Sequence, residues 1–274
     1  MSKFRKYIST GIFLCIFSVS YAIYELPDVM FHIYFLDVDQ GDSILIKTPQ
    51  DHHILIDGGP KTFVLEQLGE VMPFFDREID LMILTHPHAD HMEGLVEVLK
   101  RYKVRNVLIT GVIFFDDTYK EFLKEINALD IPIFVADSKT DFVFDDVFID
   151  VLYPFKPIAG SSYDNVNNSS VGIAVVYKDK KILLFGDLEE EIEQMLLKTF
   201  LPRDVDIYKA SHHGSRTASS IEFLKRISPK EVVIQVGKNN QFKHPHPETI
   251  RNFHRAGVEK IYRTDIDGRV EFTF

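Results

Sequence analysis

The sequence predicts an α/β (α+β) protein built as a four-layer αββα sandwich, and three observations support this. After residue 30 the chain alternates short β-branched runs with amphipathic helical segments. The alternation occurs twice, each half opening on strands and continuing as strand–helix pairs, as two similar sheets packed face to face with helices outside would require. No Ser/Gly/Pro-rich linker interrupts residues 31–274, so the halves form one domain. The alternation taken alone also suits an ordinary three-layer α/β fold.

In the first half, "FHIYFLDV" (31–38), "SILIKT" (43–48) and "HILID" (53–57) read as consecutive strands separated by the turn residues "DQGD" and "PQDH". "GGP" stops the third strand, and Pro60 suits the first turn of a helix. A buried strand "IDLMILT" (79–85) precedes a helix, "MEGLVEVLKRY", with Leu95, Val98 and Leu99 on one side. Strand 104–110, helix 117–129 and strand 131–136 follow. The second half repeats the scheme, with strands at 148–154, 171–178 and 181–187 and a helix at 188–200. A strand (205–211), a helix (218–227), a strand (231–237) and a helix (246–257) closed by Gly257 come next, then two final strands. The loop "KPIAGSSYDNVNNSS" (156–170) is long for a compact domain, and such loops are often functional.

Residues 1–30 stand apart. "MSKFRK" is basic and "YISTGIFLCIFSVSYAIY" (7–24) carries no charge, the pattern of a signal peptide with cleavage after Ala22 or of an uncleaved signal anchor. The protein is therefore expected to be exported, either secreted or held on the outer face of the cytoplasmic membrane, with membrane contact only through this segment. The single cysteine, Cys15, lies inside it. Residues 31–274 thus contain no thiol, which excludes a disulfide scaffold and leaves imidazole and carboxylate to hold any metal. The net charge of −10 does not favour a general nucleic-acid binder. It is uneven, however: residues 198–274 carry 14 Lys+Arg against 9 Asp+Glu, which is compatible with an anionic substrate.

Seven of the 11 histidines fall into three segments that follow strand-like runs: His86, His88 and His91; His212 and His213; His244 and His246. Strand ends are where open α/β folds place ligands. In "HPHADH", His86 and His88 can face one side of an extended loop while Asp90 and His91 begin the helix, so the two pairs can serve two neighbouring metal positions. Asp187, ending "LLFGD", can bridge two ions or cap the next helix. Asp57, before two glycines, is either a turn aspartate or the partner that orients a metal-bound histidine. "SHHGS" offers one ligand, and spacing does not say which histidine it is. His246 leads into a helix. His32, His52, His53 and His254 read as surface or core residues.

In order, "LIDGG", "THPHADH", "LLFGD" and "SHHGS" resemble the metallo-β-lactamase superfamily. "FLDVDQGDSILI", "NNSSVGIAVVY", "SHHGSRTASSIEFL", "QVGKNNQFKHPHPETI" and "YRTDIDG" narrow the resemblance to the carboxyl-terminal domain of ComEC-family DNA-internalisation competence proteins. The resemblance implies the four-layer sandwich of that superfamily over 31–274 and two divalent ions, zinc or manganese. It implies that His86 and His88 hold the first ion, that Asp90 and His91 hold the second, and that Asp187 bridges. Between His212 and His213, it points to His212 as completing the second site. The histidine that usually completes the first site is absent, and Asn168 of the asparagine-rich run stands near its place. Asparagine is a weak ligand, so the first ion is expected to be the less firmly held. Asp39 and Lys243 replace glycines of the family pattern.

Together with the export pattern of the amino-terminal segment, the resemblance implies an exported metal-dependent hydrolase, a phosphodiesterase or nuclease acting on DNA through metal-activated hydroxide. Asp90 or Asp187 would accept a proton. His244, with Ser215 and Lys243, would bind the scissile phosphate or protonate the leaving oxygen. The alternatives are a non-catalytic DNA- or cell-wall-binding module on the same fold, or a hydrolase of another ester such as a choline phosphodiester or a lactone.

Overall fold

The computed structural model describes residue 7, residues 10–16 and residues 29–274. The segment read as an export signal lies mostly outside the described residues. Among them, no helix is long and apolar enough to cross a membrane.

From residue 32 the elements run β1 (His32–Phe35), β2 (Ile44–Lys47), β3 (His53–Ile56), α1 (Phe63–Val71), β4 (Glu78–Ile79), β5 (Leu81–Ile83), α2 (Ala89–Leu99), β6 (Lys103–Val104), β7 (Val107–Ile109), α3 (Asp117–Ala128) and β8 (Ile133–Val135). The second half comprises β9 (Phe142–Phe144), β10 (Val147–Tyr153), β11 (Gly172–Tyr177), β12 (Lys180–Leu184), α4 (Glu190–Leu196), β13 (Ile207–Lys209), α5 (Ile221–Ile227), β14 (Glu231–Ile234), α6 (Pro247–Ala256), β15 (Lys260–Arg263), α7 (Thr264–Asp267) and β16 (Val270–Thr273). Two seven-stranded sheets result, ordered β16-β1-β2-β3-β5-β7-β8 and β15-β14-β13-β12-β11-β10-β9. Each is antiparallel over its hairpin-linked strands and parallel from β3 to β8 or from β12 to β15, where helices supply the crossovers.

The period-two alternation of the strands builds the layers. Ile33, Phe35, Ile44, Ile46 and Ile56 of the first sheet meet Val147, Ile149 and Val151 of β10, together with Ile182, Leu184 and Val233 of the second sheet, in a buried core between the sheets. The intervening residues face outward. Tyr34, Leu45, Leu55 and Met82 pack on Val64 and Leu68 of α1, Leu95 and Val98 of α2, and Phe122 of α3. On the other sheet, Leu183, Tyr208 and Val232 pack on Ile192 of α4, Phe223 of α5 and Phe253 of α6. Burial of each such side chain contributes about 1.5–3 kcal/mol. The four-layer reading holds, and the three-layer alternative does not.

Two features went unread in the sequence. β9 is only three residues long, and its apolar alternation is too short to stand out. β16, the last strand, crosses back to pair antiparallel with β1 in the first sheet, a long-range closure that no local pattern encodes.

Candidate metal centre

The parallel strands of both sheets end at one edge of the sandwich. Asp57 follows β3, Thr85 to Asp90 follow β5, Asp187 follows β12, and His212 and His213 follow β13. Glycines bring the first two segments together. A side chain on Gly58 would strike the backbone of Gly94 and Leu95 in α2, and one on Gly94 would strike Gly58. The bare backbones instead exchange hydrogen bonds, Gly58 N to His91 O at 2.7 Å and Gly94 N to Gly59 O at 3.0 Å. This seats the first turn of α2, with His91, against the end of β3, with Asp57.

Asp57 is buried and accepts hydrogen bonds from Thr85 N at 2.8 Å and Thr85 Oγ1 at 2.7 Å. It also lies 2.7 Å from His91 Nδ1. That contact fixes the ring with Nε2 turned away from Asp57, 3.4 Å from Asp187 Oδ1. His213 is held the same way. Its Nδ1 lies 3.0 Å from the Gln235 carbonyl and 3.2 Å from Asp42 Oδ1, while Nε2 faces Asp90 at 3.4 Å and Asp187 at 3.5 Å. Anchoring one imidazole nitrogen so that the other points inward is how proteins present histidine to a metal.

His86 Nε2 lies 3.0 Å from His88 Nδ1 and 3.9 Å from Asp187 Oδ2. His86, His91 and Asp187 form one group close enough to share an ion, and Asp90, His91 and His213 form another. The sequence preference for His212 at the second position is corrected. Residues 212 and 213 both adopt left-handed backbone (φ 50° and 52°), which splays the two rings, 68° between their planes. His213 turns to Asp90, whereas His212 puts Nδ1 3.2 Å from Glu189 and Nε2 3.5 Å from Asn167 and 3.8 Å from Asp187, and it belongs to none of the ligand groups among the described residues.

Electrostatics follow from burial and charge. Burial opposes the proton on His91, but Asp187 and Asp57 outweigh it and hold its pKa well above the ordinary value. Burial likewise opposes the proton on His213, but Asp187 and Asp42 carry its pKa up to about 10. Asp187 and Asp42 are pushed down despite their burial, Asp187 by His213 and His91, Asp42 by Lys209 and His213. Burial and the neighbouring His91 push His86 and His88 down. His244 falls to about 4 through burial and the nearby His213 and His212.

A divalent ion fits these residues. His91 Nε2, His213 Nε2, Asp187 Oδ1, Asp42 Oδ1 and Asn167 Oδ1 are buried without a hydrogen-bond partner. An unsatisfied buried polar group costs about 1–3 kcal/mol, and ions held by His86, His91 and Asp187 and by Asp90, His91 and His213 would satisfy the orphaned atoms of His91, His213 and Asp187.

The remaining sequence-predicted residues divide. His88, Asp90, Asp187, His212, His213 and His244 line one cavity of about 330 Å³ together with Gln40, Asn167 and Phe242. Asn168 does not, because its side chain accepts from Glu189 N at 3.1 Å and donates to Glu191 at 3.2 Å, so Asn167 is the asparagine at the site. Ser215 turns its hydroxyl to Thr217 at 3.0 Å. His246 accepts from Arg216 N at 3.1 Å, and Lys243 is exposed outside the cavity lining. Asp39 and Lys243 both have left-handed backbone (φ 65° and 60°), which explains why glycine suits those places.

Sequence reasoning assigned no role at the site to Lys209 or Asp42. Lys209 is fully buried at the end of β13, paired with Asp42, 3.2 Å from Gly186 O and 3.9 Å from Asp187. The available signal was a lysine at the end of an otherwise apolar run. A larger cavity, about 580 Å³, opens at the opposite end of β3 beside His53, Asp76 and Asp80. There Glu78 is already paired with Lys103 and Arg105, and among the described residues no group of three potential ligands converges at that end.

The metallo-β-lactamase superfamily model matches residues 36–238. The chain belongs to that superfamily. Curated relatives include ComE operon protein 3 of Bacillus subtilis (29% identical over 87% of this chain and 32% of that protein) and Recombination protein 2 of Haemophilus influenzae (26% over 97% and 32%). Competence protein ComA of Neisseria gonorrhoeae is 28% identical over 93% of this chain and 34% of its own length. The ComEC-family resemblance is therefore supported, although this chain spans about a third of the length of each relative. Among solved structures, the metallo-β-lactamase fold protein YhfI of Bacillus subtilis superposes with a TM-score of 0.59 at 10% identity, covering 89% of this chain and all of that one. That likeness shows the fold.

Proposed function

We propose that this chain is an exported metal-dependent phosphodiesterase acting on DNA, with two divalent ions, zinc or manganese, at the candidate centre. The observation that carries the reading is a pair of ligand groups, His86–His91–Asp187 and Asp90–His91–His213, with buried nitrogens and an oxygen left unsatisfied, beside a cavity lined by Asp90, Asp187 and His213. His86 and His88 would hold the first ion, Asp90, His91 and His213 the second, and Asp187 would stand between them. Bound there, such ions acidify water to make a nucleophile at neutral pH and neutralise charge on a phosphoryl oxygen.

The protein's own groups set the stage. Asp57 fixes His91, while the Gln235 carbonyl fixes His213 with Asp42 3.2 Å from the same nitrogen. Asp90, partly exposed in the cavity wall, is held as the carboxylate, against the effect of its burial, by His213 and His91. With its pKa near 4, His244 is neutral at pH 7, which suits an N–H that hydrogen-bonds a phosphate oxygen better than an acid that protonates the leaving group. Relatives named for competence and recombination support DNA as the substrate, as does the basic carboxyl-terminal third. Export rests on the basic and then uncharged amino-terminal sequence.

A second reading, a non-catalytic DNA-binding module, is favoured by the asparagine at the first position. Metal analysis combined with hydrolysis of a bis-aryl phosphodiester separates the two. The enzyme reading expects bound metal and turnover that falls on the order of 10³-fold in Asp187→Ala. Metal-free protein whose DNA affinity survives chelation, with no turnover, supports the module.

A further inference from the structure

We propose that Phe242 is a stacking platform for an unpaired nucleobase next to the scissile phosphate, a subsite that makes single-stranded nucleic acid the preferred substrate; this rests on the phosphodiesterase reading. Phe242 is half exposed and forms part of the cavity wall with His88, Asp187 and His213. Its ring stacks on His244, 5.7 Å between centroids with 26° between planes. The His244 ring in turn lies 5.5 Å from that of His212 and 6.3 Å from that of His213. An aromatic surface is thereby linked through one imidazole to the candidate centre.

Single exposed aromatics are ordinary, and Phe74 and Phe200 are more exposed than Phe242. Phe242 differs in its position on the cavity wall and in its stacking on His244. Lys243 follows it directly, and Arg216, also exposed, donates its backbone N–H to His246, whose ring is 4.8 Å from that of His244. A second aromatic, Phe114, meets His88 edge-on at 6.0 Å and is followed by the exposed Phe115. An aromatic face in the wall of a cavity that takes a phosphodiester suits a single strand, because an unpaired base offers a π-face and a paired base keeps it in the stack.

The test uses the whole chain loaded with Mn²⁺ and three probes: a short oligothymidylate, the same chain with abasic residues in place of its nucleosides, and a duplex of matching length. Affinity is read by fluorescence anisotropy in wild type, Phe242→Ala and Phe242→Tyr, and KM and kcat are read from cleavage. Phe242→Ala is expected to weaken oligothymidylate binding and raise its KM about tenfold with kcat within about twofold, while Phe242→Tyr stays near wild type. Wild type is expected to bind the abasic chain and the duplex about tenfold more weakly than the single strand. Equal affinity of wild type for the base-bearing and abasic chains, or an unchanged KM and affinity in Phe242→Ala, overturns the platform. Absence of cleavage of every probe overturns the phosphodiesterase reading instead, and the affinity comparison still decides the role of Phe242.

Discussion

The two candidate ion positions are built to different standards. At the second, His91 and His213 are each anchored through Nδ1, by Asp57 and by the Gln235 carbonyl, and their free nitrogens meet Asp90 or Asp187 within 3.5 Å. At the first, Thr85 Oγ1 anchors His86 through Nδ1 at 3.1 Å, while its Nε2 lies 3.0 Å from His88 Nδ1 and 3.9 Å from Asp187. His88 is only partly buried, and Asn167 in the same cavity wall is a weak ligand. The difference teaches that the groups behind the ligands matter as well as the ligands: at the second position both imidazoles are anchored through Nδ1, and at the first only His86 is.

The largest effect should separate the adjacent histidines. His213→Ala is expected to remove the tightly held ion and lower activity on the order of 10²–10³-fold, whereas His212→Ala should cost about tenfold or less. Metal stoichiometry of the two variants checks this, and equal losses would erase the contrast. Next, Asp57→Ala should weaken the tighter ion about 10–100-fold and leave the weaker ion nearly unchanged, as read by competition with a chelating dye.

A third prediction concerns pH. The pKa of His213 rises from 6.5 to about 10 in the fold, and that of His91 also rises. A group whose pKa is raised stabilises the fold below its unfolded value and loses that contribution as pH climbs through the folded one. Protein stripped of ions should therefore lose thermal stability between pH 6.5 and about 10, while loaded protein, whose ligands are already deprotonated, should not. The same pH dependence of melting with and without chelator would refute this. The smallest effect is expected from Lys243→Gly, which should relieve a left-handed residue and raise stability by up to about 1 kcal/mol, measured by urea unfolding.

Much of this site was legible in the chain. Histidine and aspartate pairs at strand ends announce themselves through spacing, and Asp57, His86, His88, Asp90, His91 and Asp187 do come together. Ser215, Lys243 and Asn168 were read toward the cavity from the resemblance, yet short local hydrogen bonds turn Ser215 and Asn168 elsewhere, and exposure keeps Lys243 out. Lys209 was overlooked because a lysine at the end of a strand is ordinarily solvated, and only packing reveals that this one is enclosed.

By itself, then, the sequence determined the layered architecture and the chemical character of the strand-end loops, because side-chain period and ligand spacing are local properties. Tertiary structure alone decided that β16 closes the first sheet, that His213 rather than His212 faces Asp90, and that Asp42 and Lys209 meet beneath the centre. Those outcomes depend on backbone handedness at 212–213 and on contacts between residues far apart in the chain, neither of which appears in any short window of residues.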